Sequence, residues 1–125
     1  MKKIKIKPAH SDPRGEITDL IERENINAVT LISFAKGAVR ANHYHKKTYQ
    51  WNYVISGKIR IAAKKGNGPK KTAVMNKGDL TVTVPNESHA LKALTPSVLM
   101  VFTKGPRGGK EYETDTFRLT KPLLK

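Results

Sequence analysis

Hydrophobic and polar residues alternate through most of the chain with the period of a β-strand. Residues 28–34 (AVTLISF) form a β-branched, apolar run that stops at Lys36-Gly37. Residues 50–55 form a second run, closed by Ser56-Gly57, and residues 58–62 alternate charged with apolar side chains as a half-buried strand does. Residues 72–75, 79–84, 90–94 and 98–102 continue the series, and residues 17–21 open it after the turn signal Asp12-Pro13-Arg14-Gly15. Residues 64–71 hold Gly66, Gly68 and Pro69 and read as an exposed loop. Turn signals at such short intervals favour a sandwich or barrel over alternating strands and helices. The pattern predicts one short helix, over residues 20–25. Residues 104–125, rich in Gly, Pro and Lys, are expected to drape over the barrel or a partner subunit.

Composition narrows the class. At 125 residues with 38% hydrophobic content, the chain suits one domain with one core. It has no cysteine, which excludes disulfides, thiolate metal sites and cysteine nucleophiles. The opening MKKIKIKPAH lacks the apolar run of a signal peptide, and no stretch approaches the roughly 18–20 apolar residues of a membrane span. A soluble, cytoplasmic protein is expected, with no membrane partner.

The charge is one-sided: 24 Lys and Arg against 10 Asp and Glu, a formal +14. Such a field draws anionic ligands toward clefts, though it also fits a merely well-solvated surface. The lysines come in short pairs (Lys2-Lys3, Lys46-Lys47, Lys64-Lys65, Lys70-Lys71) spread along the chain. There is no helix-turn-helix pattern and there are no aromatic-studded RNA-binding strands, so nucleic acid is not the expected partner. A small anionic or carbohydrate substrate is.

The segment from Gly37 to Gly57 carries the chemistry. His43 and His45 stand at i and i+2, so on a strand both imidazoles project from one face and can line one pocket or share a metal ion. Gly37 precedes His43 by six residues, Gln50 follows His45 by five, and Gly57 follows Gln50 by seven. Tyr49, Trp51 and Tyr53 share the face opposite Gln50. If Gln50 points inward, they pack against a sheet or a subunit partner, and a homodimer is expected.

These spacings resemble the first motif of the cupin superfamily: a glycine, two histidines, a carboxylate and a closing glycine. Gly78-Asp79, Pro85 and His89 resemble the second motif, with Asn86 where glycine is usual and Ala93 where asparagine is often found. The resemblance covers residues 37–93, about half the chain. It implies an all-β, single-domain cupin over residues 1–125: a double-stranded β-helix (jelly-roll) barrel with its core over 28–103 and an extension over 104–125. It also implies a divalent metal site at His43, His45, Gln50 and His89, for zinc, nickel, iron or manganese. Gln50 replaces the glutamate of most metal-binding cupins. A neutral amide leaves the ion's charge uncompensated, which weakens binding and strengthens the Lewis acid.

A narrower resemblance points elsewhere. Arg40-x-x-His43-x-His45-Lys46-Lys47-x-x-Gln50 is similar to the motif of the nucleotide-sugar 3,4-ketoisomerases, small dimeric cupins acting on a dTDP-4-keto-6-deoxyhexose. In that family glutamine is normal here and catalysis needs no metal. The resemblance implies that His45 shuttles a proton between sugar carbons, supported by His43 and Arg40, and an imidazole's pKa suits that task. The run Asp12-Pro13-Arg14-Gly15-Glu16 resembles the N-terminal turn of the same enzymes. Ala41 replaces their glycine after the arginine, and their catalytic tyrosine has no counterpart in Phe34-Ala35-Lys36-Gly37.

Three functions therefore remain open: an isomerase or epimerase of a nucleotide-linked sugar or similar carbonyl compound, a metal-dependent dioxygenase or lyase, and a non-catalytic metal- or sugar-binding module. Gln50 is either a metal ligand or a hydrogen-bond partner fixing an imidazole tautomer. Arg40 either holds a phosphate or sits at a strand edge. Asp79 is expected in a turn, and His10, Glu111, Glu113 and Asp115 are expected to face solvent.

Overall fold

The computed structural model describes residues 1–125. Twelve strands and one helical turn follow in order: β1 (Lys2–Lys5), β2 (His10–Asp12), β3 (Gly15–Ile17), β4 (Ala28–Phe34), β5 (Val39–Tyr44), β6 (Tyr49–Ser56), β7 (Lys58–Lys65), β8 (Lys71–Asn76), β9 (Asp79–Thr83), β10 (Glu87–Ala93), β11 (Ser97–Lys104), α1 (Glu111–Thr114) and β12 (Phe117–Arg118). Two five-stranded antiparallel sheets result, β1-β9-β6-β11-β4 and β12-β5-β10-β7-β8, and β2 and β3 form a separate hairpin. This is the jelly-roll barrel that the resemblance implied.

Period-two alternation sorts the side chains. On β11, Ser97, Leu99, Val101 and Thr103 are buried while Val98, Met100, Phe102 and Lys104 are only half-buried. The core between the sheets holds Phe34, Val54, Ile59, Ile61, Met75, Leu91 and Leu99. Its apolar part fills one end of the barrel. The other end is lined by polar residues, among them Gln50, Asn52, Thr81, Thr83 and Thr103, and that division leaves room for a site.

Turn chemistry holds the motifs in place. Gly57 has φ +89°, and a Cβ there would lie 2.2 Å from Ser97 Oγ, so no other residue closes this turn. Asn86 has φ +65°, where asparagine is tolerated best after glycine. Asp79, expected in a turn, is instead the first residue of β9 and closes the preceding Lys77-Gly78 turn by accepting the Asn76 N–H at 2.8 Å. It also pairs with Lys3 and Lys5, which ties β1 to β9.

Three local expectations are corrected. Residues 20–25 are not helical: Arg23 takes φ +55°, which no α-helix interior accommodates, and the only helical turn is α1. The opening strand occupies Gly15–Ile17 rather than 17–21, and Lys2–Lys5 adds an edge strand that the pattern did not predict. Asp115 is 3% exposed rather than solvent-facing.

The segment after β11 does lie along the barrel. β12 pairs with β5, and Leu119 N–H donates to Asn42 O at 2.9 Å. Asn42 Oδ1 accepts Leu123 N–H at 2.8 Å, Lys70 Nζ donates to Leu123 O, and Lys92 Nζ donates to Lys125 O.

Candidate active site

A β-bulge sets the centre of the site. Between His89 and Ala90 the register against β5 shifts, because Ala41 (φ +70°) and Asn42 (φ +55°) fit one extra residue into the strand. The bulge puts both Arg40, opposite Leu91, and His43, opposite His89, on the inner face. It also turns Asn42 outward, to the C-terminal segment. His45 lies one residue beyond β5, held by Asn86 N–H donating to its carbonyl at 2.6 Å.

The three imidazoles come together. Ring centroids are 4.7 Å apart for His43 and His45, 4.8 Å for His43 and His89, and 5.3 Å for His45 and His89. One ring nitrogen of each lies within 4.8 Å of the others, and all three residues are buried. Two tautomers follow from partner chemistry. His45 Nδ1 is 2.7 Å from Asp115 O and His89 Nδ1 is 3.0 Å from Glu87 O. A carbonyl only accepts, so each Nδ1 carries the proton and each neutral ring keeps its lone pair on Nε2. Both Nε2 atoms are buried without a hydrogen-bond partner. Burial, reinforced by the neighbouring imidazoles, pushes His43 down to about 3. Burial likewise pushes His89 down to about 4, against the Glu87 hydrogen bond that opposes it. Both rings are neutral at physiological pH, with lone pairs free for a proton or a metal ion.

Asp115 builds the turn that carries His45. Its carboxylate accepts the backbone N–H of Lys46 (2.9 Å) and of Lys47 (3.0 Å) and the Thr48 hydroxyl (2.6 Å). Burial alone would raise its pKa, but the hydrogen bonds from Thr48, Lys46 and Lys47 outweigh that and hold the carboxyl below its usual value. One residue thus fixes both the loop and, through its carbonyl, the tautomer of His45.

A cavity of about 490 Å³ opens beside the cluster. His43, Gln50, His89 and Arg40 all line it, while His45 adjoins His43 without forming part of the wall. Arg40 reaches it with its guanidinium 5.3 Å from the Phe34 ring and donates to Ser33 O at 3.1 Å. Gln50 lies in register between Thr83 and Thr103, whose buried hydroxyls have no partner. This part of the interior is therefore polar and unsatisfied, as a site that receives water or ligand oxygens must be.

Sequence reasoning missed the roof. Arg107, Tyr112 and Arg118 line the cavity from the segment after β11. The Tyr112 ring lies 6.4 Å from His43 and 6.3 Å from His45, and the Arg107 guanidinium stacks over it at 4.6 Å. Arg118 also pairs with Glu113 at 3.0 Å. No periodicity marks these residues; the only sequence signal was the high density of basic residues. His10 is not part of the cluster and forms an exposed pair with Asp12 on the β2-β3 hairpin.

The donor set fits a divalent metal. Three imidazoles converge, two with unpartnered Nε2 atoms whose Nδ1–H groups are fixed by backbone carbonyls, the support that metal-ligating histidines usually have. It equally fits a proton-transfer site, since the same lone pairs are bases.

Known proteins agree with this fold. Over 53 residues the chain is 36% identical to the oxalate decarboxylase OxdC of Bacillus subtilis (strain 168), spanning 42% of this chain but only 14% of that protein's length. The QdtA 3,4-ketoisomerase of Thermoanaerobacterium thermosaccharolyticum, solved as a double mutant in complex with TDP, superposes with a TM-score of 0.76 and 26% identity, covering 94% of this chain and 86% of that one. A 3,4-ketoisomerase from Helicobacter canadensis shares the fold, with a TM-score of 0.79 at 18% identity over 94% of this chain and 90% of that one. The family described as "Polysaccharide biosynthesis C-terminal domain" matches residues 10–117. With its cupin barrel and buried histidine cluster, the chain belongs to the polysaccharide biosynthesis C-terminal domain family.

Proposed function

We propose that this chain is an isomerase or epimerase of a nucleotide-linked keto-sugar, working by proton transfer at the histidine cluster. His45 acts as the base, with His43 and Arg40 in support. The observation that carries the reading is the pinned tautomer: His45 Nδ1–H is held by Asp115 O, so the unpartnered Nε2 is the nitrogen able to take a proton. The step is balanced without a redox partner. His45 Nε2 removes the proton from the hydroxyl-bearing carbon next to the ketone, and the C–H electrons form an enolate. The proton returned to the same carbon from the other face epimerises it, whereas the proton returned to the former carbonyl carbon, with the neighbouring hydroxyl's proton passing to the old ketone oxygen, moves the ketone. The guanidinium of Arg40, with those of Arg107 and Arg118, suits the developing enolate oxygen and the phosphates of such a substrate. TDP in the related QdtA structure supports that substrate class.

The test is product formation from TDP-4-keto-6-deoxyglucose, followed by NMR. Wild-type protein should convert it, and His45→Asn should lower kcat by about a hundredfold or more, in line with loss of a general base. Unchanged turnover in His45→Asn would refute the assignment. If the protein binds the sugar but never turns it over, it is a non-catalytic binding module.

A second reading rests on the donor set. His43, His45 and His89 would hold a divalent ion such as zinc, nickel, iron or manganese, with Gln50 as a neutral fourth donor. Bound there, the ion would supply Lewis-acid chemistry for a small organic substrate, as in a cupin dioxygenase or lyase. Elemental analysis of protein purified without a histidine tag separates the two: stoichiometric metal supports this reading, and metal-free protein with full turnover excludes it.

A further inference from the structure

We propose that a lysine-lined cleft on the outer face of the β12-β5-β10-β7-β8 sheet binds a small phosphorylated molecule, at a site separate from the histidine cavity. The register that sets Ala63 of β7 opposite Lys71 of β8 draws the pairs Lys64-Lys65 and Lys70-Lys71 to the two sides of one hairpin loop. On β10, Ser88 stands opposite Lys64. Ala63 and His89 are buried toward the core, so by alternation Lys64 and Ser88 face outward. The C-terminal segment supplies the facing wall: Leu119, Lys121 and Leu123 meet Lys64, Lys70 and Ser88 around a cavity of about 350 Å³. No residue lines both this cleft and the histidine cavity.

The ligand class follows from the lining. Three lysines share the cleft, and no aspartate or glutamate lines it. The lysines that pair with carboxylates are Lys3, Lys5 and Lys104, all outside it. Ammonium groups gathered in one concavity repel one another, and a dianion placed among them replaces that repulsion by attraction. Lysine holds phosphate as a compact point charge, and the Ser88 hydroxyl adds a neutral donor. Lys70 Nζ donates to Leu123 O at 3.3 Å, which uses one of its protons and leaves two. Leu119 and Leu123 are half-buried and give the cleft an apolar side, suited to the organic body of the ligand. The volume falls in the roughly 300–1,000 Å³ range of small-molecule sites, whereas a polyanion needs an extended groove. The wall is also fixed in advance. Asn42 Oδ1 accepts Leu123 N–H at 2.8 Å and Leu124 N–H at 3.3 Å, and Asn42 Nδ2 donates to Leu124 O at 3.0 Å. A preformed cleft lowers the ordering cost of binding.

Amide NMR shifts of the full chain test this with phenyl phosphate as the probe, in about 0.1 M salt, where the Debye length of about 10 Å leaves only close charge contacts. Phenyl phosphate should move the Gly66, Ser88, Lys121 and Leu123 amides along one saturating curve. Lys64→Gln and Lys121→Gln should each weaken that binding about tenfold, the worth of one charge-assisted hydrogen bond. Shifts at Gln50 and Tyr112 report the histidine cavity, and their affinity should be the same in both lysine variants. Arg107→Gln should do the converse, weakening the cavity response and sparing the cleft. Phenol, which lacks the charge, should leave the cleft amides unmoved. Shifts confined to the cavity residues would overturn the proposal. So would cleft binding that both lysine variants leave unchanged, or tight binding of a DNA oligonucleotide with no cleft response to phenyl phosphate.

Discussion

Replacing Asp115 by alanine removes one side chain and undoes three hydrogen bonds. The carboxylate is buried and accepts from Lys46 N–H, Lys47 N–H and the Thr48 hydroxyl at 2.9, 3.0 and 2.6 Å. A hydrogen bond to a charged acceptor contributes about 1.5–3 kcal/mol when its loss strands a buried partner. Lys46 and Lys47 are exposed residues, so water replaces most of what their amides lose, while the Thr48 hydroxyl is stranded in the interior. The net cost is therefore about 3–4 kcal/mol for Asp115→Ala and about 1–2 kcal/mol for Asp115→Asn, which keeps one acceptor oxygen. Against a total stability of roughly 5–15 kcal/mol, the alanine variant should melt about 10–15 °C lower. Urea unfolding followed by Trp51 fluorescence measures the same loss as a lower midpoint at unchanged slope. The carboxyl is held below its ordinary pKa, so its contribution is complete above the unfolded value near 3.8 and fades as pH falls through the folded value. That acid limb should be missing from the asparagine variant. A loss under about 1 kcal/mol for Asp115→Ala would refute the idea that this residue organises the 45–48 turn.

Other expectations can be checked quickly. Chelator-treated protein should lose about 4 kcal/mol between pH 7.5 and 5, read by urea titration. His43 and His89 stay neutral when folded, at about 3 and about 4, but bind protons near 6.5 when unfolded, so each costs about 2 kcal/mol at pH 5; a flat profile would contradict their burial as neutral rings. Ala41→Gly should stabilise by about 0.5–1 kcal/mol, because Ala41 sits at φ +70°, and a lower melting temperature would show that the bulge needs its Cβ. Gln50→Glu should tighten divalent-metal binding by supplying a charge. Titration calorimetry showing equal or weaker binding would place Gln50 outside the ligand set.

The strands of the barrel were legible because each has one buried and one exposed face, and alternation records that directly. Residues 28–34 coincide with β4, and the centres of β6 to β11 were all predicted to within a few residues at each end. β1 was not, since a lysine-rich edge strand with Ile4 as its main apolar contact has too little contrast to register. The 20–25 segment misled because Leu20 and Ile21 supply apolar residues at helical density, while the left-handed Arg23 leaves no trace in the pattern. In the site, the histidines and Gln50 were legible through local spacing. Asp115, Tyr112, Arg107 and Arg118 were not, because they reach the cluster by tertiary contact: Asp115 meets His45 across 70 residues of chain. That return of the C-terminal segment, led by β12 pairing with β5, is invisible to any short-range rule.

The most direct test of proton transfer at this cluster is deuterium wash-in. TDP-4-keto-6-deoxyglucose incubated with the protein in D2O should gain deuterium at the carbon next to its ketone, well above the buffer rate. His45→Asn, folded and equally able to bind the sugar, should reduce the gain to background. Exchange no faster than buffer with wild-type protein, or equal exchange in the two proteins, would contradict the account.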